Sequence, residues 1–563
     1  MKLAVVLLSI CLTPSLCLAQ SSTSSSGQTL QERSAQAQAL YDKHAYVEAA
    51  AILEKLSQDR RVTALPNWPD QLYNLACDQA LAGKPAQALL TLQQAVDLGT
   101  SVSVDHIRED SDLASLHADP HFQQLVSRML REAAFWKDDA AIATSYKPVL
   151  TEDEKVAGLS KFWSEARFNF PFFGRQPNLG WDRLYMDYLP QVRTAQTTAD
   201  YYRVLIRFAA SLHDGHTNVF FPKELYASFY ALPGLRTQLI ENKVIVTQVS
   251  DPALTKQGIA LGMELVKVDG QDVREYAEQQ VDPYVSSSTI QDRNLRDYNY
   301  QLLNGSASEP VHLLLEDAGG SKVTVSATRQ PFDYKAFIGE PVQFKVLPGN
   351  IAYLAVNEFD DDLGPKAMQQ HFAEIAQSSG LVIDVRKNGG GNVANGFAIL
   401  SMLADKQTFE TPSWQTVEYK AFYRALGVSP GWTKGGAEAI LPDHAHAFLK
   451  PVAVLISAQT FSAAEDFVAA FDAMHRGILV GDATAGSTGQ PLPFSLPGGG
   501  TARICTTDHS YPNGRTFEGI GIPPEIKLSP SISDIRNGRD AALEKAISIL
   551  VPKDTLHNSS SHP

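Results

Sequence analysis

The sequence predicts a multidomain chain of α and α/β type, and three observations predict it. A length of 563 residues is too great for one core, and domains of about 100 to 200 residues make three or four units the expectation. The periodicity is helical before residue 231, strand-like between residues 232 and 329, and alternates between strand and helix from Ile351 onward. In that last part, apolar strands separated by crossover helices imply a parallel sheet with helices on its faces, whose strand ends are where a site should lie. Composition agrees: 44% hydrophobic and 20% charged residues with a net charge of -14 describe a soluble globular protein. The acidic balance repels phosphate backbones and argues against a nucleic-acid partner.

Residues 1–19 contain a lysine, the apolar run LAVVLLSICL, a turn-prone TPS and a Cys17-Leu18-Ala19 ending. This reads as a secretory signal cleaved after Ala19, so the protein is expected to be exported, to a periplasm or outside the cell. A membrane anchor would need about 18 apolar residues or more, and the run is shorter. Lipid attachment at Cys17 would want a small residue before it, where Leu16 stands. No later stretch is long and apolar enough to span a bilayer. Without the leader only Cys77 and Cys505 remain, in what read as different domains, so neither a disulfide framework nor a multi-cysteine metal site is expected.

Residues 20–30 read as a Ser/Thr/Gly linker with nothing to bury. Residues 31–135 form a helical unit, with LYDKHAYVEAAAILEKL followed by LYNLACDQALAGKPAQALLTLQQAVDLG, whose alanine ridges let helices pack closely. The offset of Ala49 from Ala88, with an insertion at residues 65–70, resembles a short tetratricopeptide unit; a generic antiparallel helix pair is the alternative. Such repeats imply a possible protein partner. Residues 136–231 read as further amphipathic helices, interrupted by FNFPFFGRQPNLGW and ending at Leu212-His213-Asp214-Gly215-His216, where Gly215 is expected to stop the helix and start a short strand.

Residues 232–331 carry the strands KVIVTQV, GMELVKVDGQDV, VHLLLED and KVTVSAT. The strand entering an Asp269-Gly270 turn resembles a PDZ domain, which captures an extended chain at a sheet edge. An unrelated small β domain is the alternative. Residues 332–551 are the α/β core, with strands IAYLAVNEF, LVIDV, PVAVLIS and GILVG and helices at residues 365–377, after Asn392 and at residues 463–474. Residues 552–563 read as a flexible tail.

The chemistry centres on LISAQTFSAAEDF, where an apolar run stops at Thr460-Phe461-Ser462 and a helix restarts at once. A strand-to-helix junction can hold a serine oxygen in a cleft and aim the following N–H groups at an oxyanion, which makes Ser462 a candidate nucleophile. The same letters fit an ordinary N-cap, with Glu465 closing a capping box. A serine needs a base, either a histidine oriented by a carboxylate or a desolvated lysine. No lysine occurs between Lys450 and Lys527. His216, in a loop beside Asp214, is the leading histidine; His475 and His509 rank lower. His444-Ala445-His446 lacks a third ligand, and neither a metal nor a cofactor is expected. The glycines after Asp384-Val385-Arg386-Lys387-Asn388 permit close backbone approach, as a second oxyanion donor requires, whereas a phosphate loop would need Gly-Lys-Ser/Thr. Arg386 could tie that loop to a carboxylate or be a structural ion pair.

These segments, together with Phe517-Glu518-Gly519-Ile520-Gly521-Ile522-Pro523-Pro524-Glu525, follow the order seen in the tail-specific, C-terminal processing serine peptidases and their tricorn-like relatives. The resemblance covers roughly residues 150–550. In the lysine-dyad branch a lysine follows the nucleophile in a Gly-rich segment, and the matching region here offers Ser487. The chain is therefore more similar to the tricorn-like branch, and the resemblance implies a Ser462, His216 and Glu518 triad, with the N–H groups of Ala463 and of a triplet glycine, Gly390, binding the oxyanion. That branch often has a serine just before the histidine, where this chain has Gly215. The resemblance implies endopeptidase action on unfolded or C-terminal protein segments. Its rivals are a catalytically inactive peptide- or ligand-binding protein on the same scaffold and, more remotely, a metal-dependent hydrolase using His213, His216 and His444.

Overall fold

The computed structural model describes residues 33–551, apart from 64, 66, 334–338 and 406–407. The proposed signal at residues 1–19, the linker at 20–30 and the tail at 552–563 lie outside the described residues. The chain divides into two compact units, one running to Lys137 together with Ala437–Ala439, the other from Asp138 to Gly436 and from Ile440 onward.

The first unit is helical. Helices Tyr46–Leu56, Trp68–Leu81, Pro85–Asp97 and Pro120–Trp136 enclose Ala49, Ala50, Leu53, Leu72, Ala76, Ala88 and Leu92. The alanines on the facing ridges are completely buried at 49, 50, 76 and 88, which is what lets the backbones approach. Trp68 and Pro69 belong to the second helix instead of an inserted loop, because Pro69 stands at its first turn, where no N–H is needed.

In the second unit, helices Glu152–Asn169, Trp181–Thr194 and Thr198–Ala210 pack around Phe162, Tyr201, Tyr202 and Phe208. Thr197 and Asp200 form a capping box at the start of the third helix. Its end is made by His213 at φ 47°, not by Gly215, so the left-handed residue lies three positions before His216. The strand Asn218–Phe220 follows and pairs antiparallel with Thr501–Cys505, which pairs in turn with Pro491–Ser495.

The β region forms one sheet in the order Leu235–Ile240, Lys243–Val249, Glu264–Val268, Val311–Glu316 and Lys322–Ala327. Asp269 and Gly270, at φ 48° and 83°, make the turn that their sequence announces. Between the third and fourth strands of that order lies a helical arm containing Ile290–Leu295 and a wider turn at Arg296–Gln301.

The α/β region holds a six-stranded sheet ordered Ile526–Lys527, Ile478–Gly481, Val452–Ile456, Gly380–Asp384, Ile351–Val356 and Val342–Leu347. All neighbours run parallel except the last pair. The three middle strands are buried throughout, which explains why they read as unbroken apolar runs. Helices Leu363–Gln370, Phe372–Gln377, Val393–Ser401 and Ala463–Ala473 cover it, the first two divided at His371. The mixed helical and α/β architecture is thus that of a multidomain chain. Among the described residues, no helix is long and apolar enough to cross a membrane.

Candidate active site

Strand Val452–Ile456 ends at the C-terminal edge of the sheet, and six residues later the chain turns sharply into helix Ala463–Ala473. Ser462 is the turning residue, at φ 59° and ψ -131°. A side chain in such a conformation costs about 1 to 3 kcal/mol, which the surrounding structure must hold in place. Its N–H donates to the Ser487 carbonyl at 3.0 Å, while its carbonyl accepts from Glu465 N–H at 2.7 Å.

The capping-box alternative does not describe this serine. The Ser462 side chain makes no cap hydrogen bond, and the Glu465 carboxylate turns inward, accepting from Thr484 Oγ1, Gly486 N and Ser487 N at 2.6, 2.7 and 2.8 Å. Glu465 is fully buried, and that burial pushes it up to about 8 against the three bonds that favour its charged form.

Ser462 Oγ lies 3.0 Å from Nε2 of His216, although 246 positions separate the two residues. The imidazole is buried and stacks on Phe461 at 4.4 Å between ring centres. Burial holds the ring well below the ordinary histidine range, and the Arg503 and Arg296 guanidinium groups and His509 add to this. The His216 loop is held by Asp214, which accepts from Thr217 Oγ1 at 2.5 Å, and by Gly215 N–H, which donates to Ser288 Oγ at 3.0 Å. His509 pairs instead with Asp466, at 2.9 Å, and His446 with Asp443, at 2.8 Å.

Glu518 reaches the same buried region but not the imidazole. Its Oε2 accepts from Thr488 N–H at 2.6 Å, and its Oε1 is buried with no hydrogen-bond partner among the described residues. Burial raises it well above the ordinary carboxylate range, and the charges of Asp214 and Glu465 push the same way. The other imidazole nitrogen, Nδ1, faces Ser487 Oγ at 3.0 Å. No signal in the sequence pairs Ser487 with His216, since 271 positions lie between them.

The glycine triplet closes the site from the side. A Cβ placed on Gly390 would meet Ser462 Cβ at 2.7 Å and Ala463 N at 3.1 Å, so only glycine allows this approach. Gly390 stands where an oxyanion donor is expected, yet its N–H donates to Asn388 Oδ1 at 2.9 Å, and an incoming oxygen must compete with that amide. Ala463 is the first helical residue, and its N–H belongs to the helix start, where backbone donors lack intrahelical partners. Arg386 is a structural ion pair: its guanidinium contacts Asp384 at 2.6 Å and Asp540 at 2.7 Å. His216, Ser462, Gly390 and Arg503 line a cleft of about 330 Å³, with Glu358 and Asp360 at its side.

The profile of peptidase family S41 matches residues 350–528. The C-terminal processing peptidase of the chloroplast of Tetradesmus obliquus is 24% identical over 382 residues, which cover 62% of this chain and 73% of that protein. A carboxy-terminal-processing protease of Bartonella bacilliformis is 24% identical over 314 residues, covering 54% of this chain and 63% of that protein. Among solved structures, mature CPAF complexed with lactacystin has the same fold over 73% of this chain and 99% of its own, with a TM-score of 0.57 at 17% identity. Residues 350–528 therefore form a peptidase family S41 domain, and the chain that carries it is a serine-type peptidase.

Proposed function

We propose that this peptidase is exported and cleaves peptide bonds in unfolded or C-terminal protein segments, with Ser462 as nucleophile, His216 as base and Glu518 as the acid of a Ser-His-Glu set that supports the base through its bond to the Thr488 amide. The observation that carries the reading is the 3.0 Å approach of Ser462 Oγ to His216 Nε2 at the wall of an open cleft. A hydroxyl at that distance donates to Nε2, and a ring held neutral by burial is ready to take its proton. Attack on a peptide carbonyl then places the new oxyanion beside Ala463 N–H and the Gly390 backbone, and the imidazolium returns the proton to the leaving amine. Each donor of that kind contributes about 3 to 4 kcal/mol to the transition state.

Export rests on the residue 1–19 pattern, and a tricorn-like assignment rests on Glu518 and on Ser487 standing where the other branch has a lysine. The six-stranded sheet with its Asp269-Gly270 turn supports a PDZ-like role in presenting an extended segment, and the alanine-ridged helices support a tetratricopeptide-like surface for a protein partner. The substrate class follows from the processing peptidases to which the chain is similar.

Incubating the mature protein with casein tests the reading. Wild type is expected to cut, and Ser462→Ala and His216→Ala to lose at least about 10³-fold in rate while a chelator changes nothing. Cleavage that survives Ser462→Ala would end it, and a wild type that binds casein without cutting would favour the inactive carrier.

A further inference from the structure

Among the described residues, no carboxylate meets the second nitrogen of this base. Nδ1 of His216 meets the hydroxyl of Ser487 at 3.0 Å, inside a region where Ser487 is completely buried. Ser487 is fixed by its own backbone at both ends. Its N–H donates to Glu465 Oε2 at 2.8 Å, and its carbonyl accepts the Ser462 N–H at 3.0 Å. On one side Gly486 N–H donates to Glu465 Oε1 at 2.7 Å, and on the other Thr488 N–H donates to Glu518 Oε2 at 2.6 Å. Two buried carboxylates thus grip three consecutive amides and set where the Ser487 hydroxyl can point.

The position before the histidine cannot supply that hydroxyl. A Cβ on Gly215 would lie 2.9 Å from Ser487 Oγ, 3.0 Å from Phe461 and 3.1 Å from Asp292 Oδ2, so glycine there and serine at 487 go together. We propose that Ser487 is a positioning residue for His216, accepting the Nδ1–H hydrogen bond, and that Glu518 acts on the imidazole only by holding the 486–488 loop.

Proton placement supports this assignment. With the Ser462 hydroxyl donating to Nε2, the neutral ring carries its proton on Nδ1, which then donates to Ser487 Oγ. When Nε2 takes the Ser462 proton, the Ser462 O–H bond breaks, an N–H bond forms, and the ring becomes a cation with both nitrogens donating. Arg503, Arg296 and His509 disfavour the cation, and the carboxylates of this buried region are held elsewhere: Asp214 by Thr217, Asp292 by Arg296 at 2.7 Å, Glu465 by Gly486 and Ser487, and Glu518 by Thr488. Ser487 Oγ is the acceptor that faces Nδ1 among the described residues.

The proposal rests on the Ser462 and His216 reading, and the experiment separates the two. Steady-state rates with a fluorogenic peptide or labelled casein, pH profiles and melting temperatures are measured for wild type, Ser462→Ala, Ser487→Ala, Glu518→Gln and the Ser487→Ala/Glu518→Gln double variant. Ser487→Ala is expected to lower kcat by about 10²-fold with KM within twofold and melting nearly unchanged, and to move the acid limb of kcat/KM to lower pH, because the ring cation loses its Nδ1 acceptor. The double variant is expected to be no slower than Ser487→Ala alone, since Glu518 works through the loop. A Ser487→Ala enzyme within threefold of wild type with an unmoved acid limb overturns the proposal. So does a double variant slower than Ser487→Ala by the full Glu518→Gln factor, which would mean that the carboxylate reaches the ring by its own route. A wild type no faster than Ser462→Ala would instead fail the catalytic reading, and this proposal with it.

Discussion

Replacing Gly390 by alanine, with Gly389→Ala as its neighbour control, tests the closeness of the glycine triplet to the reaction centre. The Gly390 Cβ would sit 2.7 Å from Ser462 Cβ, whereas carbon atoms in contact settle at about 3.5 to 4.0 Å, so serine or loop must yield by about 1 Å. A displacement of that size at a reacting group costs about 10²-fold in rate. The φ of 101° at Gly390 adds a backbone penalty of about 1 to 2 kcal/mol for any residue with a Cβ, which lowers the melting temperature as well. Gly389 has no atom within 4 Å of its Cβ position and no positive φ, so its alanine variant is expected to keep both rate and melting temperature. The measurements are kcat/KM on a quenched peptide and thermal unfolding, made in parallel on the two variants. Gly390→Ala within threefold of wild type, or Gly389→Ala equally impaired, would refute the placement of this loop against Ser462.

Four further outcomes follow from the same geometry. Burial and two nearby guanidinium groups lower His216, so the acid limb of kcat/KM should lie below about 6.5, the ordinary histidine value; a limb above 6.5 would contradict it. The same shift has a stability sign: the folded ring resists protonation, so its contribution is present above the unfolded value and is lost as pH falls below about 6.5, which acid titration of the melting temperature reads against His216→Gln. Ser462→Gly should melt higher than Ser462→Ala by about 1 to 2 kcal/mol, because glycine alone relaxes at φ 59°, with activity lost in both. Arg386→Ala should destabilise by about 3 kcal/mol in urea unfolding, since it leaves the buried Asp384 uncompensated, and an unchanged midpoint would show the pair to be dispensable.

What could be read from the letters divides along a physical line. The parallel strands Ile351–Val356, Gly380–Asp384 and Val452–Ile456 were legible because full burial demands unbroken apolar runs. Ser462 was legible as a turn between strand and helix, while its strained backbone, which separates a nucleophile from an N-cap, was not. The sequence points to Gly215 as the helix stop, whereas the stop is His213, because a left-handed histidine carries no signal a glycine would not carry more strongly. The helical arm around Ile290–Leu295 carries no clear helical signal in the sequence. Its wide turn at Arg296–Gln301 breaks the helical period, and its residues Thr289, Gln291 and Arg296 meet partners more than 160 positions away.

That arm explains how a strained serine and a buried histidine can be held together by so few local bonds. Thr289 Oγ1 donates to the Ala485 carbonyl at 2.6 Å, and Gln291 Nε2 donates to the Thr484 and Ile520 carbonyls at 3.0 and 2.8 Å. Ser288 Oγ accepts from Gly215 N–H, and Arg296, anchored by Asp292, lies 5.3 Å over the Phe461 ring that stacks on His216. One short segment therefore touches the base loop, the Thr484–Gly486 backbone, the Glu518 side of the site and the residue before the nucleophile. The strain at Ser462 is about 1 to 3 kcal/mol, comparable to two or three net hydrogen bonds of about 1 kcal/mol each, which is the scale of the contacts this arm makes. The arm belongs in sequence to the β region and not to the α/β sheet, so the reaction centre is completed only when the two are packed together.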